Sequence, residues 1–160
     1  MRTRIVTILV VLAAATAVQA QVQQVRQYAA KFVCGKSTDP QMSLLNFAPG
    51  TYYTTINVHN PALNASFEFR KKFALAEPDE KPGRIVGWFA TGLKADEAMQ
   101  IDCRNIYAHL NVPFGSFIDG FVVLQMPPNR ELDVVGVYTA AGSTGVSTIH
   151  MERVAGRLTQ

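Results

Sequence analysis

The chain has 160 residues, of which 48% are apolar and 17% charged, with two cysteines and a formal charge of +3. Arg2 and Arg4 stand in the first few residues, so the remainder carries 13 basic against 12 acidic side chains, a formal +1. That balance excludes nucleic acid and anionic membrane surfaces as main partners, since both require a concentrated basic patch and the densest cluster, Arg70-Lys71-Lys72, is only three residues long.

After Arg2 and Arg4, residues 5–18 are apolar apart from two threonines, and Val18-Gln19-Ala20 precedes Gln21. A charged start, a short apolar run and small residues at Val18 and Ala20 are the layout of a signal peptide cleaved between Ala20 and Gln21. The run is shorter than the ~18 to 20 residues of a spanning helix. Residues 1–20 are therefore read as a signal peptide, the product as periplasmic or secreted, with no membrane span after cleavage. The 140 residues that follow make one domain.

Residues 21–27 are polar and Gln-rich, a flexible leader. In residues 28–34 the alternation Tyr28, Ala30, Phe32, Cys34 predicts a strand with that set inward. Residues 35–49 read as a long loop or a short irregular strand. Residues 51–60 form the best-punctuated strand, with Tyr52, Thr54, Ile56 and Val58 on the core face and Tyr53, Thr55, Asn57 and His59 on the other, bounded by Gly50 and Asn60-Pro61. It is expected to lie centrally. Residues 65–76 alternate again, with Phe67, Phe69, Phe73 and Leu75 on one face and Lys71 as the break in the apolar set. Joined to residues 51–60 by a short link, they are expected to form a hairpin with them.

The turn E-P-D-E-K-P-G over residues 77–83 leads to a strand over 84–89. Residues 93–103 are compatible with a helical turn, but the alternation Met99, Ile101, Cys103 favours a turn at 94–97 followed by a strand. Residues 104–115 read as a loop with one helical turn near 106–110. Residues 117–126 are nearly continuously apolar, a central strand buried on both faces, and are expected to pair with residues 131–141 as a second hairpin. A G-S-T-G turn at 142–145 leads into a closing strand over 146–154, and residues 155–160 read as a fraying tail. Residues 28–154 are thus expected to be an all-β domain, a single antiparallel β-sandwich of seven or eight strands with immunoglobulin-like architecture.

Cys34 and Cys103 each end an inward alternation, and an even cysteine count in an exported chain points to one disulfide. Closing about 70 residues, it stabilises by ~4 kcal/mol in the chain-entropy picture. The wording Y-A-A-K-F-V-C-G, Y-Y-T-T-I-N-V-H-N-P and L-D-V-V-G-V-Y-T resembles small exported bacterial proteins that are themselves uncharacterised, and the resemblance brings no function with it. The Cys-Trp-Cys spacing of true immunoglobulin domains is not met, because Trp88 lies close before Cys103.

The chain offers little catalytic chemistry. His59, His109 and His150 lack metal-ligand spacing, and neither a G-x-S-x-G elbow nor a phosphate loop occurs. Asp119, inside an apolar strand, is the one carboxylate whose burial would demand a partner. Asn64-Ala65-Ser66 matches a glycosylation acceptor pattern, not expected to be occupied in a bacterial export context. Tyr53, Trp88 and Phe89 are the candidate binding residues, an aromatic patch for a protein or glycan partner if they share a face. No catalytic residue, metal ligand or cofactor is assigned. The expectation is a non-enzymatic surface module for binding, adhesion or assembly, with a small periplasmic hydrolase or metal-binding protein as the rival.

Overall fold

The structure, a computed structural model, describes residues 24–38, 47–142 and 145–160, except for the side chains of Val146 and Ser147. The expected signal peptide, the first three residues of the leader, part of the 35–49 loop and the tip of the 142–145 turn lie outside the described residues. Among the described residues, nine strands and one helix follow in the order β1 (Val25–Ser37), β2 (Gly50–His59), β3 (Phe67–Ala76), β4 (Pro82–Leu93), β5 (Ala98–Asp102), α1 (Cys103–Leu110), β6 (Ile118–Met126), β7 (Asp133–Gly142), β8 (Gly145–Arg153) and β9 (Arg157–Thr159). All pairings are antiparallel.

The hydrogen bonds trace one open sheet, β4-β3-β6-β1-β2-β7-β8, with β5 also on β2 and β9 also on β1. This differs from the two separate sheets of the expected immunoglobulin-like sandwich, and the cause is β1. Its residues Arg26 to Cys34 pair with β6, then Gly35 to Ser37 pair with β2, so one strand belongs to both halves. Gly35 makes the passage with φ +97°, and a Cβ there would lie 2.1 Å from the Ser116 carbonyl oxygen, so only glycine fits.

The expected inward sets meet in one core. Tyr28, Ala30, Phe32 and Cys34 of β1 are at most 3% exposed. They share a cluster with Phe69 and Phe73 of β3, Val122 and Leu124 of β6, Ile56 and Val58 of β2, Ile101 of β5 and Val134 of β7. Cys34 and Cys103 are bonded, 69 residues apart in sequence, and tie β1 to the start of α1. Beside the bond the backbones of β1 and β2 diverge, and the Thr54 hydroxyl fills the gap. It accepts from the Val33 amide and donates to the Val33 carbonyl, both at 2.9 Å.

Both expected hairpins are absent. β2 pairs with β1, β5 and β7, while β3 pairs with β4 and β6. The buried Asn60 turns the chain out of β2 and across the core. Its Nδ2 donates to the carbonyls of Ala65 and Lys94, both at 2.8 Å, its Oδ1 accepts from the Ala62 amide, and its own amide donates to Glu97. In the same way β6 and β7 lie in opposite halves, because the link between them is pinned where the Leu132 amide donates to the Tyr28 hydroxyl at 2.9 Å. The hairpins that do form are β3–β4 and β7–β8.

Three smaller differences have local causes. Val25 to Gln27, expected in a flexible leader, are strand, and the expected fraying tail supplies their partner β9. Strand β4 runs well beyond 84–89, to Leu93. Residues 103–110 are a full helix rather than a loop with one turn. Asp102 caps it, accepting from the Asn105 amide while Asn105 accepts from the Asp102 amide, and Cys103, Ile106, Tyr107 and Leu110 fall on its buried face. The turn at 94–97 and the strand after it, β5, are as the alternation predicts.

Replacing Thr54 by valine keeps the shape and removes the hydroxyl, leaving the amide and carbonyl of Val33 without that partner. The expected loss is ~1–3 kcal/mol in urea denaturation. Amide exchange at Val33 identifies the cause: protection falls in Thr54→Val and is retained in Thr54→Ser.

Candidate functional site

The divergence of β1 from β2 leaves a cavity of about 430 Å³ against the disulfide. Outward residues of β2 and β5 line it, Tyr53 and Thr55 with Gln100 and Asp102, since Thr55 pairs with Asp102 and Asn57 with Gln100. Helix α1 contributes Arg104 and Tyr107, the following loop contributes Phe114, and the end of β1 contributes Lys36. Phe114 is 76% exposed and packs edge-on against Tyr107 at 5.3 Å.

Asp102, Arg104 and Tyr107 are held by neighbours. Burial would raise the Asp102 carboxyl, but the Asn105 amide and the Arg104 guanidinium outweigh it and keep the group below the ordinary carboxylate value. Arg104 donates twice to one oxygen of Asp102, at 2.8 and 3.0 Å. Burial raises the Tyr107 phenol, which stays protonated and donates to the Ser116 carbonyl at 2.8 Å. The sulfur of Cys103, in the cavity lining, is disulfide-bonded. The arrangement can grip a ligand between aromatic walls and a polar floor.

The three aromatic candidates do not come together. Tyr53, 52% exposed, lies at this cavity in the second half of the sheet. Trp88 lies on the outer face of β4, its ring 4.7 Å from both the Arg70 guanidinium and the Lys72 ammonium. Phe89 turns inward against Phe73 and His109. Adjacent strand residues point to opposite faces, and the register of β4 on β3 breaks at Trp88, between Lys71↔Phe89 and Lys72↔Gly87. Asp119 has the partner that its burial demands, the ammonium of Lys31 on β1.

The histidines occupy three separate places. His59 bridges two carboxylates, Nε2 to Asp96 at 3.0 Å and Nδ1 to Asp133 at 3.5 Å, and Asp133 also holds Arg153 at 2.7 Å. The hydrogen bond that its imidazolium donates to Asp96 is the main reason its pKa is raised. His109 stacks between Phe73 and Phe89, at 4.8 and 4.4 Å, where burial first and Lys71 second lower its pKa. His150 stacks on Tyr138. Among the described residues, no three of His, Cys, Asp and Glu are grouped to hold a metal ion, and no helix is long and apolar enough to cross a membrane.

Sequence reasoning missed Arg104, Tyr107 and Phe114. The spacing Cys103, Ile106, Tyr107, Leu110 behind Asp102 was a signal for the helix that carries the first two. Nothing local marks Phe114.

No protein-family model and no curated protein matches this chain. A solved structure, that of Thermotoga maritima 1070, aligns with 83% of this chain and 93% of its own at 7% sequence identity, with a TM-score of 0.47.

The two histidines respond oppositely to pH. The stability His59 contributes is full below 6.5 and is lost as pH rises through its raised folded value. The stability His109 gains by staying neutral is present above 6.5 and is lost as pH falls through its lowered folded value. An NMR titration is expected to place the His59 midpoint above 6.5 and the His109 midpoint below it, with Asp96→Asn bringing His59 down. A His59 midpoint at or below 6.5 removes the two-carboxylate reading.

Proposed function

We propose that this chain is an exported, non-enzymatic binding module, working in the manner of immunoglobulin-like domains by presenting a fixed surface on a disulfide-tied β scaffold. Its ligand seat is the cavity between β2, α1 and Phe114. The observation that carries the reading is this formed cavity of about 430 Å³, with aromatic walls from Tyr53, Tyr107 and Phe114 and a polar floor from Thr55 and Gln100. That volume and lining suit a small ligand with one apolar face and a polar end. Asp102 and Arg104 neutralise each other at its rim, and neither is poised for proton transfer. A hydrolase or metal-binding reading would use Asp119, which lines a separate cavity of about 590 Å³ with Glu77 and Asp79, but there its carboxylate is paired with Lys31 and the histidines lie elsewhere.

Export is tested by N-terminal sequencing of envelope and culture fractions, where the product is expected to begin at Gln21. Binding is tested by a ligand-observed NMR screen of small glycans and aromatic acids. Hits are expected to shift the amides of Thr55, Gln100 and Phe114, and Phe114→Ala with Gln100→Ala is expected to weaken them about tenfold or more. Hits that ignore both substitutions overturn the assignment of the seat.

A further inference from the structure

Among the described residues, three charged side chains line the cavity against the disulfide: Asp102, Arg104 and Lys36. The first two cancel. Asp102 accepts from the Asn105 amide through one carboxylate oxygen and from Arg104 twice through the other, so its charge is already matched. Lys36 is left over. It is exposed, and among the described residues its ammonium has no ion pair and no hydrogen-bond partner.

The strand register fixes the side on which this charge stands. Lys36 pairs with Thr51, and directly opposed residues share a face, so its side chain lies on the outer face that Thr51, Tyr53 and Thr55 present to the cavity. The Tyr53 hydroxyl, on the same face, also makes no hydrogen bond among the described residues. The mouth thus offers donors and one uncompensated positive charge, with no free carboxylate among its lining residues. Phe114 defines the other end of a ligand, since its contact with Tyr107 is edge-on and the ring remains 76% exposed, open to a flat apolar surface.

We propose that the ligand of this cavity is a small carboxylic acid carried on a ring, bound as its monoanion with the carboxylate on Lys36 and the ring against Phe114 and Tyr53. The inference rests on the seat proposed above and adds the sign and size of the charge. One unpaired ammonium matches one negative charge, through a hydrogen bond strengthened by both charges, whereas a cationic ligand would meet a like charge. The ring belongs to an aromatic acid or to a uronic acid, whose apolar sugar face fits the same walls; both share a carboxylate on a flat apolar body.

Amide-detected NMR titrations of the exported product at neutral pH test this with matched probes: phenylacetate, phenylacetamide and phenethylamine, and methyl glucuronide against methyl glucoside. The acid of at least one pair is expected to bind about tenfold tighter than its neutral counterpart, shifting the amides of Lys36, Tyr53 and Phe114, with the amine weakest. The pair that shows the preference identifies the ring as aromatic or sugar. Lys36→Met is expected to bring the acid down to the level of the neutral probe and leave the neutral probe unchanged, while Lys81→Met, an exposed lysine away from the cavity, changes neither. Circular dichroism checks that both variants fold. Neutral probes that bind as tightly as the acids while shifting the same amides overturn the charge inference and leave the seat standing. An acid preference that survives Lys36→Met overturns it as well, and acids whose shifts fall away from the cavity overturn both. Saturation by none of the probes overturns the inference, and the screen above then judges the seat.

Discussion

Between Val33 and Ser37, β1 leaves one half of the sheet and joins the other, and the rest of the molecule depends on how that crossing is held. A strand that changes partners breaks its ladder at the point of change, and buried backbone groups there need new partners. The Thr54 hydroxyl supplies them to Val33, the Cys34–Cys103 bond clamps the same point from the other side, and Gly35 permits the turn. These contacts let strands from both halves share one core, with Phe32, Ile56, Phe73, Ile106 and Val134 all fully buried.

The cavity is a by-product of that crossing. Where β1 and β2 separate, side chains cannot fill the wedge completely, and α1, anchored by Cys103, closes it from the side. The site therefore lies where the scaffold is most tightly constrained, with the disulfide in its wall. Such placement suits a preformed seat, since the lining residues have little freedom left to lose when a ligand enters.

Polar groups at element ends set the topology. Asn60 spends its amide on a loop and a turn in different parts of the chain, and the Tyr28 hydroxyl receives the Leu132 amide across the core. Each sends the chain to the opposite half where a short turn would have returned it alongside its neighbour. The two histidines that titrate away from the ordinary value mark both kinds of surroundings, one between carboxylates at the surface and one between aromatic rings.

The sequence by itself determined the strands, the inward faces and the cystine. Period-2 alternation is a local property, so Tyr28 to Cys34, Tyr52 to Val58 and Met99 to Cys103 could be oriented without knowing their neighbours, and two cysteines ending inward runs had to be close in a shared core. Partnership was not legible, because the same alternation fits any adjacent strand. Only the tertiary structure decided that β2 lies against β5 and β7 rather than β3, through a buried Asn60 whose bonds reach as far along the chain as Lys94 and Glu97. The eight-residue helix and three-residue β9 are too short to assert a period, and their burial fixes them. The aromatic patch failed for the same reason: Tyr53, Trp88 and Phe89 were judged by residue type, whereas the face each occupies depends on a register break and on which half of the sheet its strand joins.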